Sequence, residues 1–272
     1  MSAPGRVPPF TLKGHPTKAS ARWVAPYLRQ HLGTLEAGLG VSLARTPNGN
    51  LIPALGAGEF GAAFLASDGR VVKITTDDAE PVFGLEVREL QMGSDRVLRD
   101  AARTSVVLLD AIVQLPGKVR HQGHDVPVYA LLRESVTPVS DDADVPRSVK
   151  DALNAHFDGW SEWFDHRNAR SPKVRFQMAC EVIDGWEALQ SEPQLAAFSV
   201  LQRHLWNKGI PYMDSHRHNF GWRETSRGAQ LVLFDLGGSD RLSPRDYIAP
   251  IDGDAFDRYY PWKETLAKVT RA

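Results

Sequence analysis

Apolar positions recur at helical spacing from Trp23 onward, with Leu28, Leu32, Leu35 and Leu39 on one face and Pro26 near the expected helix start. After the turn-type stretch TPNGN the pattern becomes that of short strands. Residues 62–65 and 70–75 are apolar runs joined by Ser67-Asp68-Gly69, a tight-turn sequence. Residues 85–98 return to helical spacing, with Leu90 and Val97 two turns apart, and residues 105–115 and 126–132 read as two further strands around GKVRHQGHD. Beyond the acidic, proline-containing VTPVSDDADVP the helical period dominates. Three stripes follow: Leu153, Phe157, Trp160 and Phe164; then Phe176, Ala179, Ile183 and Trp186; then Leu195, Phe198, Leu201 and Leu205. Two short strands, 219–222 and 231–235, flank the turn sequence ETSRGA, and a last short helix is expected near 263–269. Strands gather in the first half and helices in the second. That segregation predicts an α+β chain in two lobes rather than alternating βαβ units. The expected partition is an N-terminal arm and helix over 1–50, a β-rich lobe over 51–136 and a mainly helical lobe over 137–272.

Composition narrows the classes. The chain has 272 residues, 42% apolar and 24% charged, enough for one large or one bilobed domain with a sizeable core. A net charge of −1 lacks the electrostatic footprint of a general nucleic-acid binder, so no nucleic-acid partner is expected. Cys180 is the only cysteine, which excludes an intramolecular disulfide and fits a reducing compartment. The start, MSAPGRVPPF, has no apolar h-region, and no apolar run approaches the ~18 residues that a membrane span needs. The expectation is a cytoplasmic protein without a membrane partner.

Candidate chemistry begins in LGAGEFGAAFLASDGRVVKIT, where GAGEFG fits G-x-G-x-x-G. That pattern serves either a strand-to-helix turn beneath a dinucleotide or a hairpin over the phosphates of ATP. The preceding LIPAL carries Pro53, awkward in a central strand, and the residues after Gly61 read as a hairpin rather than a helix. The hairpin is favoured, its backbone N–H groups able to approach phosphate oxygens because glycine has no Cβ. Lys73 sits within the apolar VVKIT, where an inward ammonium requires anionic partners. Glu86 is the candidate protein partner, with Glu89 one turn further along as the alternative, and a phosphate is the candidate ligand. An edge lysine pointing to water is the competing reading.

A second constellation lies in NKGIPYMDSHRHNFGW and LVLFDLGGS. Asp214 and Asn219 stand five residues apart, and Asp235-Leu236-Gly237 follows. With Gly56, Gly58, Phe60, Gly61, Lys73 and Glu86, these residues resemble the protein-kinase-like superfamily: its glycine-rich loop, strand lysine, helix glutamate, D-x-x-x-x-N loop and D-F-G metal site, in order. The resemblance implies a two-lobed kinase-like fold, with a small antiparallel β lobe and a mainly helical lobe. It also implies ATP and Mg²⁺ as cofactors, Asn219 and Asp235 as metal ligands, and Asp214 as the residue that aligns a hydroxyl acceptor. Backbone groups near Glu134 and Val136 are expected at the adenine, with Leu55, Ala63 and Val71 as apolar walls. His216 stands two residues after Asp214, as in aminoglycoside phosphotransferases and choline kinase-like enzymes, where protein serine/threonine kinases have lysine. Tyr212-Met213 replaces the usual His-Arg pair, and YIAP (247–250) is only faintly similar to the end of an activation segment.

Several readings stay open. The acceptor is either a protein hydroxyl or a small molecule. An inactive pseudokinase is the alternative, although its usual mark, loss of the lysine or of either aspartate, is missing here. A dinucleotide-dependent oxidoreductase is the third. His204, His216 and His218 raise a zinc site, which irregular spacing and a lone cysteine disfavour. Trp160, Trp163 and Phe164 either line an acceptor site or belong to the core, and Asp158, Glu162 and Asp165 form either an acceptor-attracting or a solvated face.

Overall fold

A computed structural model describes residues 20–58, 60–121, 123–139, 145–166, 172–208, 210–237 and 268–272. The expected short helix near 263–269, the YIAP stretch and Gly238 fall wholly or mostly outside them. The elements run α1 (Ser20–Leu39), β1 (Gly56–Ala57), β2 (Gly61–Leu65), β3 (Val71–Thr75), α2 (Ala79–Met92), α3 (Arg96–Ser105), β4 (Leu109–His121), β5 (His124–Arg133), β6 (Thr137–Pro138), α4 (Arg147–His166), α5 (Pro172–Ser191), α6 (Ala196–Lys208), β7 (Phe220–Thr225), β8 (Gly228–Leu233) and β9 (Thr270–Arg271). This is a mixed α+β chain whose sheets are largely antiparallel.

The chain divides into two compact units. One takes residues 20–81, Leu109–Ser135 and 268–272; the other takes Val82–Leu108 and the described residues from Val136 to Gly237.

In the first unit a six-stranded sheet has the order β1-β2-β3-β5-β4-β9, antiparallel throughout except where β9 runs parallel to β4. The sheet packs against α1, whose Trp23, Val24, Tyr27, Leu28, Leu32, Leu35 and Leu39 are buried with Phe64, Val72, Ile74, Val128 and Leu132 in one core. Pro26 lies inside α1 rather than at its start. An interior proline costs a helix about 3 kcal/mol, whereas each large apolar side chain buried on the other turns contributes about 1.5–3 kcal/mol, so the helix runs through it. Between β2 and β3 the chain turns at Ser67-Asp68-Gly69. Gly69 takes φ +88°, and Asp68 Oδ1 accepts the Arg70 N–H at 3.1 Å. The stretch GKVRHQGHD contributes mostly strand rather than loop, because β4 and β5 continue pairing out to His121↔His124.

The second unit is helical around a three-stranded sheet, β6-β7-β8. The single helix expected over 85–98 is two. Its first part ends near Gly93, and the Asp95 carboxylate then caps a new helix by accepting the Leu98 N–H at 3.1 Å. In α4 and α5, Gly159 and Gly185 let the two helices approach closely. A Cβ on Gly159 would stand 2.6 Å from the Glu181 carbonyl oxygen, and one on Gly185 would stand 2.8 Å from the His156 Cα. Of the predicted stripes, Leu153 and Trp160 on α4, Trp186 on α5, and Leu195 followed by Phe198, Leu201 and Leu205 on α6 are buried, whereas Phe157 and Ile183 are only half-buried. Trp160 and Trp186 pack on Trp206, with ring centroids 5.1 and 5.4 Å away. Trp160 is therefore core; the side chains of Trp163, Phe164, Glu162 and Asp165 lie outside the described residues, and Asp158 is exposed.

Candidate active site

In the first unit the glycine-rich stretch forms strand, loop and strand. Residues 56 and 57 of β1 pair with 63 and 62 of β2, and Gly58 N–H donates to the Gly61 carbonyl at 2.8 Å. No helix follows the third glycine, which removes the strand-to-helix geometry that a dinucleotide loop requires. Gly61 is obligatory, since a Cβ there would lie 1.9 Å from the Ile74 carbonyl oxygen. A Cβ added at Gly56 or Gly58 would meet nothing within 4 Å. Phe60 is exposed, its carbonyl held by the Thr76 N–H and hydroxyl at 2.9 and 3.0 Å, and its ring lies 5.4 Å from that of His121.

Lys73 is not an edge residue. β3 is interior to the sheet, and Lys73 is paired across it with Ala63 of β2 and Leu131 of β5. Its Nζ is ion-paired with Glu80, a carboxylate buried at the start of α2 that the sequence reading did not single out. Asp77 joins this cluster and caps α2 by accepting the Ala79 N–H at 2.9 Å. Burial and the neighbouring Glu80 charge push the Asp77 carboxyl up to about 7, against the pull of the Ala79 N–H and Lys73. Glu86, the predicted partner of Lys73, belongs to the second unit, where it accepts from Lys208 Nζ at 2.6 Å. Five acidic residues lie between 77 and 89, and Glu80 is one that pairs with Lys73 across the turn from β3 into α2.

In the second unit the predicted loop residues converge. Asn219 closes a 3₁₀ turn at the start of β7, and its carbonyl accepts the N–H groups of Phe234 and Asp235 at 2.8 and 3.3 Å. The β7–β8 hairpin thus brings the end of LVLFD beside Asn219. The Asn219 amide nitrogen donates to the Tyr212 hydroxyl at 2.9 Å and to the carbonyl and Oδ2 of Asp214, both at 2.8 Å. Asp214 Oδ1 faces His216 Nε2 at 3.2 Å. Burial opposes ionisation of Asp214, but the hydrogen bond and charge of His216 and the bond from Asn219 outweigh it. Its carboxyl falls below the ordinary range. His216 is raised, first by its bond to Asp214, with burial opposing and the Asp214 and Asp235 charges reinforcing. The Tyr212 hydroxyl is a partner that spacing could not reveal. Glu134 and Val136 follow β5 in an irregular stretch.

The donor set suits a hard cation. The Asn219 amide nitrogen is committed to protein acceptors, which leaves its oxygen as the atom that could meet a metal, and the Asp235 backbone N–H bonds the Asn219 carbonyl. One carboxylate and one amide oxygen is the kind of sparse protein ligation that Mg²⁺ accepts, completing its shell with water and phosphate oxygens. Among the described residues, no three His, Cys, Asp or Glu side chains converge as a metal-binding group of their own.

No protein-family model matches the chain, and no curated protein matches it. Among solved structures it is similar to that of APH(2")-IIia in complex with GDP and kanamycin. The likeness has 14% identity, 87% of this chain and 81% of that chain covered, and a TM-score of 0.34. At that score the likeness decides neither the fold nor the activity of this chain.

Proposed function

We propose that the chain is a kinase: an ATP- and Mg²⁺-dependent phosphotransferase acting on a hydroxyl acceptor, a protein side chain or a small molecule. The observation that carries the reading is the Tyr212–Asp214–His216–Asn219 cluster, in which the Asp214 carboxylate is fixed by two donors and the backbone N–H of Asp235 bonds the Asn219 carbonyl. The Lys73–Glu80 ion pair, between a half-buried lysine on a central strand and a buried carboxylate on α2, supports it from the first unit, together with the open space that a Cβ would meet at Gly56 and Gly58.

In this reading Gly56, Gly58 and Gly61 admit phosphate oxygens to the backbone, with Phe60 at the loop tip, and Lys73 orients the α- and β-phosphates. Asn219 and Asp235 hold the metal, which when bound supplies charge neutralisation on the phosphate oxygens. Glu134 and Val136 contribute backbone contacts to the adenine. Asp214 accepts a hydrogen bond from the acceptor hydroxyl and aims its oxygen at the γ-phosphorus. The new O–P bond forms as the bridging O–P bond breaks, ADP leaves, and the hydroxyl proton passes to Asp214. Because its carboxyl is lowered, Asp214 acts chiefly by alignment, receiving the proton late. His216 steadies that carboxylate and adds positive charge beside the transferring group.

The test is transfer from γ-labelled ATP with Mg²⁺, with the protein alone and with small cationic and peptide acceptors, beside Asp214→Asn. Asp214→Asn is expected to lose at least about 10²-fold in kcat while nucleotide binding stays near wild type. Label on the chain or a peptide assigns a protein acceptor, and label on a small acceptor assigns the other class. Nucleotide binding with no transfer to any acceptor would replace this reading by a nucleotide-binding scaffold.

A further inference from the structure

Behind the loop that carries Asp214, the second unit holds a group of buried polar side chains that the reaction above does not use. His156 of α4, Gln202 of α6 and Ser215 of the loop are all at most 1% exposed. Their hydrogen bonds constrain one another. The Tyr212 backbone N–H can only donate, so the Gln202 atom facing it at 2.9 Å is Oε1. Gln202 Nε2 is then left to donate to the Tyr212 carbonyl and toward His156 Nε2, 3.1 Å away. The Trp160 indole N–H, which is a donor only, meets the same His156 Nε2 at 3.1 Å. Two donors on one ring nitrogen require that nitrogen to be bare. Full burial holds the His156 ring neutral, its pKa pushed down to about 3. The single ring proton is therefore on Nδ1, which donates to Ser215 Oγ at 2.5 Å.

This network grips the loop on both sides of Asp214. Gln202 binds both backbone polar groups of Tyr212, two residues before it, and His156 binds Ser215, the residue after it. Tyr212 carries the constraint onward, since its hydroxyl accepts from the Asn219 amide. Apolar packing alone would need none of these polar atoms, and a half-satisfied buried network costs more than an apolar core. We infer that His156 and Gln202 are positioning residues, which set the direction of the Asp214 carboxylate by clamping Tyr212 and Ser215 from α4 and α6. The inference deepens the phosphotransferase reading and rests on it for its kinetic consequence; the clamp itself is a matter of hydrogen bonds that can be read without any activity.

The experiment has two arms. In the first, ¹⁵N NMR of the imidazoles of the whole chain is expected to show one histidine with Nδ1 protonated and Nε2 bare. That ring should not titrate between pH 5 and pH 8, and its signal should vanish in His156→Phe. A His156 with Nε2 protonated, or one that titrates in that range, overturns the clamp. In the second arm, His156→Phe, His156→Asn, Ser215→Ala and the His156→Phe/Ser215→Ala double variant are compared. His156→Phe is expected to keep KM for ATP and nucleotide affinity while kcat falls by up to about 10²-fold, the effect of a small misplacement. His156→Asn, whose amide nitrogen can replace the Nδ1 donor, should recover much of that loss. The double variant should be no worse than the poorer single variant. Full kcat in folded His156→Phe, or losses that simply multiply, overturn the positioning role. If His156→Phe does not fold, Ser215→Ala and the NMR arm decide. If wild type transfers phosphate to no acceptor, the functional reading fails, and the first arm alone still judges the clamp.

Discussion

Each ionisable residue of the site acquires its character from its immediate partners. Asp214 and His216 move each other's protonation in opposite directions, which favours the ion pair. Asp77 moves the other way from Asp214, because burial and Glu80 oppose its charge more than Lys73 favours it. An acid whose folded pKa is raised contributes stability that is complete below its unfolded value and lost as pH rises through the folded one. For Asp77 that window runs from about 4, the usual carboxyl value, to about 7. Asp77→Asn preserves the oxygen that caps Ala79 and removes the charge. The variant is expected to be more stable than wild type at pH 8 and to differ least at pH 4. Urea midpoints at the two pH values check this, and an unchanged gap refutes it.

At the scale of elements, packing decides where sequence propensity is silent. Leu35 is fully buried in the face of α1 that covers the sheet. Leu35→Ala should cost about 2–5 kcal/mol by chemical denaturation, the range for emptying a well-packed leucine site. Two helical glycines make a sharper contrast. Alanine is worth about 1 kcal/mol over glycine in a helix interior. At Gly33 a Cβ meets nothing within 4 Å, so Gly33→Ala should raise stability by up to that amount. At Gly159 the same Cβ would lie 2.6 Å from a backbone oxygen of α5, which cannot swing aside. Gly159→Ala is expected to lose about 1–3 kcal/mol, overpacking outweighing propensity. Thermal melts of the two variants should shift in opposite directions.

At the scale of the molecule, a ligand that binds only the folded chain stabilises it by mass action. ATP with Mg²⁺ at about 100 times its Kd should add about 2.7 kcal/mol, read as a rise in Tm. Asp235→Ala should keep a rise with ATP but lose the increment that Mg²⁺ adds. A Tm indifferent to nucleotide at millimolar concentration would contradict nucleotide binding by either unit. Among the described residues no helix is long and apolar enough to cross a membrane.

Periodicity made the elements legible because burying one face is a local demand. A stripe such as Leu28, Leu32, Leu35 and Leu39 carries its own evidence of which side meets the core, and an apolar run such as VVKIT shows that the strand is buried. Spacing likewise made the Asp214 and Asn219 pair legible, since five residues of loop closing on a 3₁₀ turn bring the two side chains together. Boundaries were less legible. The break between α2 and α3 depends on one capping carboxylate, and the length of β4 and β5 depends on cross-strand pairing that a turn-rich composition conceals. What only the tertiary structure decided are the partnerships between distant segments. Sequence marks Lys73 as a lysine in need of an acid; the turn into α2 supplies Glu80. His156 draws no attention in the sequence, because its bond to Ser215 spans 59 residues and its acceptor role follows from Trp160 and Gln202. The physical reason is that hydrophobic burial is short-ranged in its sequence signature, while a hydrogen bond between buried groups is specified only once the backbone has brought donor and acceptor within about 3 Å.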